Sequence, residues 1–239
     1  MIDLHCHLLP GIDDGARDLD EGLAMARLAV EEGITHAVMT PHVMPGIFDN
    51  DLASIELAVA AYREALNAAG IGLEVFVGGE VRLGPEVLAL VADDRIPYIG
   101  HWDGERVMLL EMPHSHIPPG SEKLVDWLRA QGIRPLLAHP ERNPDIESDP
   151  QRLRAFVDRG CLVQVTAGSL TGDFGEAFRV AAVALIEAGW TTVLASDAHR
   201  ADRRTPSIVA GRRVAAGLVG EKASWRMVRE IPAKILGLD

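Results

Sequence analysis

The chain contains very little cysteine, which excludes several kinds of protein. Only Cys6 and Cys161 occur among its 239 residues, too few for a disulfide framework and without zinc-finger spacing. A cysteine-dependent phosphatase needs an arginine six residues after its thiolate, but Ile12 and Ala167 occupy those positions. We therefore expect both cysteines to be strand residues that pack against helices.

Long apolar runs are also missing, and we expect no targeting segment. Hydrophobic residues make up 48% of the chain, yet no stretch approaches the roughly 18 consecutive apolar residues that a membrane span needs. The first residues, Met1-Ile2-Asp3, begin neither a basic stretch nor an apolar signal core. We expect a cytoplasmic protein that does not insert into membranes and has enough apolar residues for a sizeable core.

Positive charge is scarce as well. The 23 lysines and arginines face 35 aspartates and glutamates, which gives a formal net charge of −12. Such a field repels polyanions, so nucleic-acid binding is not expected. A phosphorylated substrate must be attracted by local charge at its site. The sequence also lacks a P-loop, a Rossmann glycine fingerprint and a GxSxG elbow.

What the sequence does contain is a regular alternation of short apolar runs and helical stretches. The runs that predict strands are 2–6, 35–40, 73–77, 107–110, 135–138, 162–165 and 192–195. The stretches that predict helices are 20–32, 52–69, 122–130, 151–158 and 176–188, with Asp18 and Asp149 as N-caps. About seven β/α units of this kind indicate an α/β barrel. No linker breaks the pattern, so we expect one domain over 1–239, closed by one or two helices within 206–239.

Chemically capable residues stand at the carboxyl ends of these predicted strands. The first strand ends His5-Cys6-His7, and side chains two residues apart on a strand share a face, so both imidazoles can reach one metal ion. Nearly every later strand also ends in a histidine or carboxylate, where α/β barrels place their active sites. The candidate metal ligands are His5, His7, Asp14, His42, Glu80, Glu111, His139, Asp197 and His199.

Some residues near these motifs also have a structural explanation. Asp14 and Glu111 could cap helices or satisfy hydrogen bonds rather than bind metal. His114-Ser115-His116 repeats the HxH spelling, but it lies in a proline-rich loop, which favours a position on the rim over a further metal site. Phe48 could line the substrate entrance or fix the start of the following helix, and Arg203 could belong to a solvated charge run.

The ordered motifs HxH, TPH, GGE, LLE, HPER and SDAH resemble those of the PHP (polymerase and histidinol phosphatase) superfamily. The segments DLHCHLLPGIDDGA and TPHVMPGIFDN are similar to its CpsB/CapC branch of bacterial manganese-dependent protein-tyrosine phosphatases. The resemblance implies a distorted seven-stranded (β/α) barrel with three divalent metal ions. It assigns His5, His7, Glu80 and Asp197 to the first ion, Glu80, Glu111 and His139 to the second, and Asp14, His42 and His199 to the third. It also assigns Arg142 and Arg204 to the phosphate.

The same resemblance implies a function. It predicts a phosphomonoesterase of capsule or exopolysaccharide biosynthesis that acts on the phosphotyrosines of a polysaccharide-export tyrosine kinase. The positive charge of three divalent ions is larger than the negative charge of the four carboxylate ligands. The site would therefore be locally positive, and a phosphate dianion could bind there. Mixed nitrogen and oxygen ligation fits manganese, iron or zinc. Two alternatives stay open, a phosphatase for a small phosphoester such as histidinol phosphate and a non-catalytic metal-binding module. An oligomer is possible.

Overall fold

The computed structural model describes residues 1–238, in which strands and helices alternate along the chain. The strands are β1 (Ile2–Cys6), β2 (His36–Met39), β3 (His42–Val43), β4 (Glu74–Val77), β5 (Glu80–Arg82), β6 (Gly100–Trp102), β7 (Glu105–Glu111), β8 (Ile133–Ala138), β9 (Leu162–Thr166) and β10 (Val193–Ala195). The helices are α1 (Leu19–Glu31), α2 (Leu52–Ala68), α3 (Glu86–Ala92), α4 (Ser121–Ala130), α5 (Pro144–Ser148), α6 (Arg154–Val157), α7 (Ala167–Thr171), α8 (Glu176–Glu187), α9 (Val209–Val219), α10 (Glu221–Val228) and α11 (Glu230–Leu236).

The strands form a closed barrel in chain order. β1, β2 and β4 are parallel neighbours in one sheet, and β3, β5, β7, β8, β9 and β10 are parallel neighbours in a second sheet. β3 continues β2 after two residues and β5 continues β4 after two, so each pair is one bent strand. Cys6 pairs in parallel with Ala198, just beyond β10, which closes the ring. The predicted distorted seven-stranded α/β barrel is confirmed.

The bend between β4 and β5 depends on glycine. A Cβ atom at Gly78 would lie 2.5 Å from Cγ1 of Val38, and one at Gly79 would lie 2.4 Å from Cγ of Pro97. Neither separation is compatible with a side chain, so the strand can pass this close to its neighbours only without one. The bend places Glu80 at the start of β5, inside the mouth of the barrel.

The predicted elements agree with most of the structure. All seven predicted strands overlap observed ones, and Asp18 and Asp149 accept hydrogen bonds from the backbone N–H groups of Glu21 and Gln151 as N-caps. The predicted helix over 151–158 is confirmed only in its second half, because Pro150–Leu153 forms a 3₁₀ turn before the short α6. The C-terminal segment forms three helices rather than one or two. Sequence pattern also missed β3, β5, β6, α3, α5 and α7.

Apolar side chains form two layers. The outer layer lies between strands and helices and includes Cys6 and Cys161, as expected for structural cysteines. Burial raises the pKa of both thiols, that of Cys161 to about 12. The inner layer fills the barrel near the start of the strands, where Ile235 of α11 packs against it. The last helix therefore closes the end of the barrel opposite the strand carboxyl ends. Among residues 1–238, no helix is long and apolar enough to cross a membrane.

Candidate metal centre

Four buried donor atoms meet at the carboxyl end of β1. Nε2 of His5 lies 3.1 Å from Nε2 of His7, and each lies 3.4 to 3.6 Å from Oε2 of Glu80 and Oδ1 of Asp197. A tetrahedral site with metal–donor bonds of about 2.1 Å has donor–donor edges of about 3.4 Å. The five separations measured here are of the length expected between donors that share a cation, and His5, His7 and Glu80 form one candidate set, three of the four residues predicted for the first ion.

A β-bulge in β1 aims both histidines into this centre. The pairs Asp3–Ala37 and Cys6–Met39 show that β1 carries one residue more than β2 between them. Leu4 accordingly packs in the inner layer and Cys6 in the outer layer. Strict alternation would have put those two side chains on the same face. Beyond the bulge the inward face continues through the predicted HxH pair.

Each of these imidazoles is oriented by a second polar side chain. Nδ1 of His7 lies 2.7 Å from Oδ2 of Asp13, and Nδ1 of His5 lies 2.8 Å from Oε1 of Gln164. Both contacts leave Nε2 directed at the centre, as in metal sites where an outer acceptor fixes the ring. Oδ2 of Asp13 also accepts a hydrogen bond from the backbone N–H of His42, which joins the loop after β1 to the end of the second barrel strand.

Glu80 connects the first donor set to a second one. Its Oε2 faces His5 and His7, while its Oε1 lies 2.8 Å from Nε2 of His139. Nε2 of His139 is 3.9 Å from Oε1 of Glu111. Two oxygens of one carboxylate thus point toward two groups of donors, which is the geometry of a bridging ligand. The predicted members of the second site lie together, although His139 and Glu111 are further apart than the donors of the first set.

Glu111 also contacts two residues beyond this set. Its Oε2 lies 3.0 Å from Nε of Arg82, and its Oε1 lies 3.0 Å from Nε2 of His114. The ring of His114 lies nearly parallel to that of His139, with the centroids 6.1 Å apart. His114 is largely exposed, so the structure places it on the rim of the site, as the sequence favoured. Ser115 and His116 contact each other further out.

The third group lies on the other side of His7. Nε2 of His42 is 3.3 Å and Nε2 of His199 is 3.5 Å from Oδ1 of Asp14. One nitrogen of His7 lies within 4.8 Å of the donors of this group. Asp14 is half exposed, whereas both histidines are largely buried. This group therefore forms the more open side of the centre.

Charges at the centre shift several pKa values. Although burial lowers the pKa of His7, the carboxylate of Asp13 raises it to about 9. Burial likewise lowers the pKa of His42, but Glu80 and Asp14 raise it to about 11. The pKa of His139 falls to about 4 because it is buried and lies near Arg142. Without metal, the centre thus holds protons on some imidazoles and leaves others neutral.

Both predicted arginines converge on Asp197. Nη2 of Arg204 donates to Oδ2 of Asp197 at 2.8 Å, and Nη2 of Arg142 donates to the same oxygen. The ring of Phe174 lies beside them, with its centroid 5.0 Å from Cζ of Arg142 and 5.6 Å from Cζ of Arg204. Glu141 fixes the turn that carries Arg142, since its Oε1 accepts hydrogen bonds from the backbone of Thr166 and the hydroxyl of Ser169.

Strained backbone is concentrated in this region. Of the five residues other than glycine with positive φ among residues 1–238, three belong to the candidate site: His139 at 29°, Asp197 at 51° and Arg204 at 51°. Positive φ costs free energy for residues with a side chain, and such strain clusters where a side chain must be held in one direction. The surrounding barrel therefore holds these three positions against their local preference.

The donor chemistry fits bound cations. Oδ1 of Asp197 is buried and accepts no hydrogen bond from the residues that the structure describes. An unpartnered buried carboxylate oxygen is costly, and this one faces Nε2 of both His5 and His7. The cavity above it has a volume of about 70 Å³. The residues present therefore suit divalent ions with nitrogen and oxygen ligands.

Comparison with known proteins agrees with this geometry. The family model "Capsular polysaccharide synthesis, CpsB/CapC" matches residues 1–237. The chain belongs to the CpsB/CapC family. The tyrosine-protein phosphatase YwqE of Bacillus subtilis is 37% identical over 204 residues, which cover 85% of this chain and 79% of YwqE. The tyrosine-protein phosphatase CpsB of Streptococcus pneumoniae is 26% identical over 245 residues, which cover 99% of this chain and 98% of CpsB.

Solved structures extend the comparison of this CpsB/CapC chain. One structure comes from a study of YwqE and CpsB, described as "unique metal-dependent tyrosine phosphatases". It superposes with a TM-score of 0.91 at 33% identity, and the match covers 98% of this chain and 94% of the solved chain. A phosphotriesterase homology protein from Escherichia coli superposes with a TM-score of 0.60 at 15% identity. The match covers 98% of this chain and 97% of that protein. At that identity the likeness to the second protein concerns the fold alone.

Three residues of the site in this CpsB/CapC chain were not predicted. Asp13 adjoins Asp14 in the sequence, and nothing in the sequence pattern indicated that Asp13 orients His7 whereas Asp14 belongs to a donor group. Gln164 is a polar residue within an apolar strand, a signal that could have drawn attention to it. Phe174 follows α7 in a segment without periodicity. These residues do not supply donors to the three groups; they hold or flank the residues that do.

Proposed function

We propose that this chain is a metal-dependent protein-tyrosine phosphatase of the capsule and exopolysaccharide type. The observation that carries the proposal is the bridging position of Glu80, whose two oxygens face separate donor groups. Several divalent ions in one site suit hydrolysis of a phosphomonoester, where attacking and leaving oxygens both need stabilisation. Membership of a family whose relatives are named tyrosine-protein phosphatases supports the same substrate class.

Nine side chains would hold three divalent ions in this proposal. His5, His7, Glu80 and Asp197 would hold the first, and Glu80, Glu111 and His139 the second. Asp14, His42 and His199 would hold the third. Manganese is the expected ion, and iron or zinc would suit the same donors. Bound there, the ions would supply Lewis acidity and an activated water near neutral pH.

The remaining residues of the site would bind and orient the phosphoryl group. Arg142 and Arg204 each present a planar guanidinium at the mouth of the cavity, already aligned by Asp197. A guanidinium fork can grip two phosphoryl oxygens, and its fixed charge stabilises the additional negative charge of the transition state. Asp13 and Gln164 keep the imidazoles of His7 and His5 in one orientation, so the centre is organised before substrate arrives.

The proposed substrate is a phosphotyrosine on a cytoplasmic segment of a polysaccharide-export tyrosine kinase, and we propose a cytoplasmic enzyme with one phosphoesterase domain over the whole chain. An acidic protein of net charge −12 would repel a free polyanion at long range. The arginines and bound cations would attract a phosphate monoester locally. This combination favours a single phosphorylated side chain on a protein over nucleic acid.

The test compares substrates on protein whose metal content has been measured. Metal-free protein and protein reloaded with Mn²⁺ are assayed on a phosphotyrosine peptide, histidinol phosphate and a generic aryl phosphate. We expect hydrolysis only after reloading and the highest kcat/KM on the phosphotyrosine peptide. Higher kcat/KM on histidinol phosphate would identify a small-molecule phosphatase. Full metal occupancy without hydrolysis of any of the three would identify a non-catalytic metal-binding module.

A further inference from the structure

The metal centre leaves little space for the organic part of a phosphoester. Its cavity has a volume of about 70 Å³ and is lined almost entirely by the candidate ligands and the two arginines. Cavities that enclose small organic ligands typically measure about 300–1,000 Å³. A phosphoryl group can approach the donors here, but the group esterified to it must lie outside this cavity.

A larger cavity adjoins the metal centre on the side of the arginines. Its volume is about 430 Å³, and it lies between α7, with the loop that follows it, and the segment that leads into α9. Arg204 lines both cavities. The side chain proposed to hold the phosphoryl group is therefore also a wall of this space. Gly168, Phe174 and Ala210 contribute further parts of the lining.

Phe174 gives this cavity an aromatic wall. Its ring lies beside the guanidinium groups of Arg142 and Arg204, and the residue is only partly buried. Gly168 allows this position, because a Cβ atom there would lie 2.9 Å from Cε2 of the ring. Aromatic rings associate in offset or edge-to-face arrangements that add to simple burial of apolar area. A second ring entering the cavity could pack on Phe174 while its substituent reaches the arginines.

We infer that this cavity is the subsite for the aryl ring of the substrate and that Phe174 determines the preference for aryl over alkyl phosphate esters. The inference rests on the proposed function and deepens it. The ester oxygen separates the phosphorus atom from the ring by only two bonds, so a phosphoryl group held by Arg204 places the ring within reach of Phe174. Thr171, Thr205 and Ser207 also line the cavity, so part of its wall is polar and suits the polar backbone of a peptide.

Two phosphonates that differ only in the organic group test the subsite. Phenylphosphonate and methylphosphonate are measured as competitive inhibitors of the Mn²⁺-loaded protein and of Phe174→Leu. We expect wild type to bind phenylphosphonate more tightly, and Phe174→Leu to reduce this preference about three- to tenfold. Its affinity for methylphosphonate should stay unchanged. Phe76→Leu is the matched control, because Phe76 packs on His36 at a centroid distance of 6.1 Å, lines neither cavity and should keep the phenyl preference.

A second variant fills the cavity without altering Phe174. Ala210 is exposed at the start of α9 and also lines the cavity, so Ala210→Phe should weaken phenylphosphonate and leave methylphosphonate unaffected. An unchanged phenyl preference in both variants would overturn the subsite. Equal loss of both inhibitors in Phe174→Leu would also overturn it and assign the ring to holding the arginines. Failure of metal-loaded wild type to hydrolyse phosphotyrosine peptide would instead refute the proposed function.

Discussion

Asp13 lies directly behind His7, with its Oδ2 accepting from Nδ1 of the imidazole at 2.7 Å. The same aspartate accepts from the backbone N–H groups of His42 and Gly15. It therefore fixes the ring of one candidate ligand, the backbone of a second and the loop that carries Asp14. Substitution of outer residues of this kind commonly lowers metal affinity by about 10- to 100-fold.

Asp13→Asn should weaken metal binding without removing a ligand. The amide has one acceptor oxygen in place of two, and it carries no charge. The contact that orients the ring of His7 is therefore weakened. We expect the affinity for Mn²⁺ to fall about 10- to 100-fold, measured by competition with a chelator of known affinity. Asp49→Asn is the control, since Asp49 accepts from the backbone N–H of Gly46 in an exposed loop and touches no histidine. Equal affinities in both variants would exclude the orienting role.

Glu80→Gln should cost more metal than Asp14→Asn. Glu80 faces two donor groups, whereas Asp14 belongs to one, so loss of the bridging charge should empty two positions rather than one. The measurement is the number of metal equivalents per chain after dialysis, with circular dichroism to verify folding. If both variants lose the same number of equivalents, Glu80 is not a bridging ligand.

Metal binding should release protons at neutral pH. In the metal-free centre the pKa of His7 is about 9 and that of His42 about 11, both above the ordinary value of about 6.5. Both imidazoles are therefore protonated at pH 7 and must lose a proton to ligate. We expect apparent Mn²⁺ affinity to rise with pH between about 6.5 and 9. Calorimetry in buffers of different ionisation enthalpy would count the protons, and a count of zero would contradict this assignment.

The same shifts determine how the metal-free fold responds to pH. A folded-state pKa raised above the unfolded value stabilises the fold fully below the unfolded pKa. For His7 this contribution is present below about 6.5 and disappears as pH rises through about 9. The denaturation midpoint of chelated protein should therefore fall between pH 7 and 10. This fall should be smaller in Asp13→Asn. An identical pH dependence in the variant would exclude the His7–Asp13 pair as its source.

The barrel could be predicted from the sequence because each of its strands carries its own local signal. An apolar run followed by a histidine or carboxylate recurs in register with the helices, and the carboxyl ends of parallel strands meet at one face. The short strands β3 and β5 gave no such signal, because they follow interruptions in the apolar runs, at Pro41 and at the Gly78-Gly79 bend. The three C-terminal helices also escaped prediction. Gly220, with φ of 88°, separates the first two.

The contacts within the site depend on distance in space and could not be predicted in the same way. Gln164 reaches His5 across 159 positions of the sequence, a contact that exists only once the barrel closes. Asp13 and Asp14 are consecutive, and the backbone of their loop decides which carboxylate supports His7 and which faces His42. The shared acceptor of the two arginines, Oδ2 of Asp197, depends on the positive φ of Asp197 and Arg204.

That shared acceptor gives the arginines two separable tasks. Arg142 is mostly buried and Arg204 one-third exposed, and both donate to Asp197, whose other oxygen faces His5. Either guanidinium could therefore support a metal ligand, bind phosphate, or do both. Arg203 is exposed beside them and lines the larger cavity, so it is not a neutral control. Arg213 is exposed on α9 and lines neither cavity, so it offers a control of equal charge away from the site.

Arg142→Lys should separate these tasks. Lysine keeps a positive charge near Asp197 but cannot reproduce the planar fork that grips two phosphoryl oxygens. We expect kcat/KM on a phosphotyrosine peptide to fall about 10²-fold, while metal content stays at the wild-type value. Arg204→Lys should behave similarly, and Arg213→Ala should change kcat/KM by less than about threefold, because a solvent-exposed charge away from the site is largely screened. Unchanged kcat/KM in Arg142→Lys would remove that arginine from phosphate binding. Lost metal would show that it supports Asp197 instead, since arginine itself is not a metal ligand.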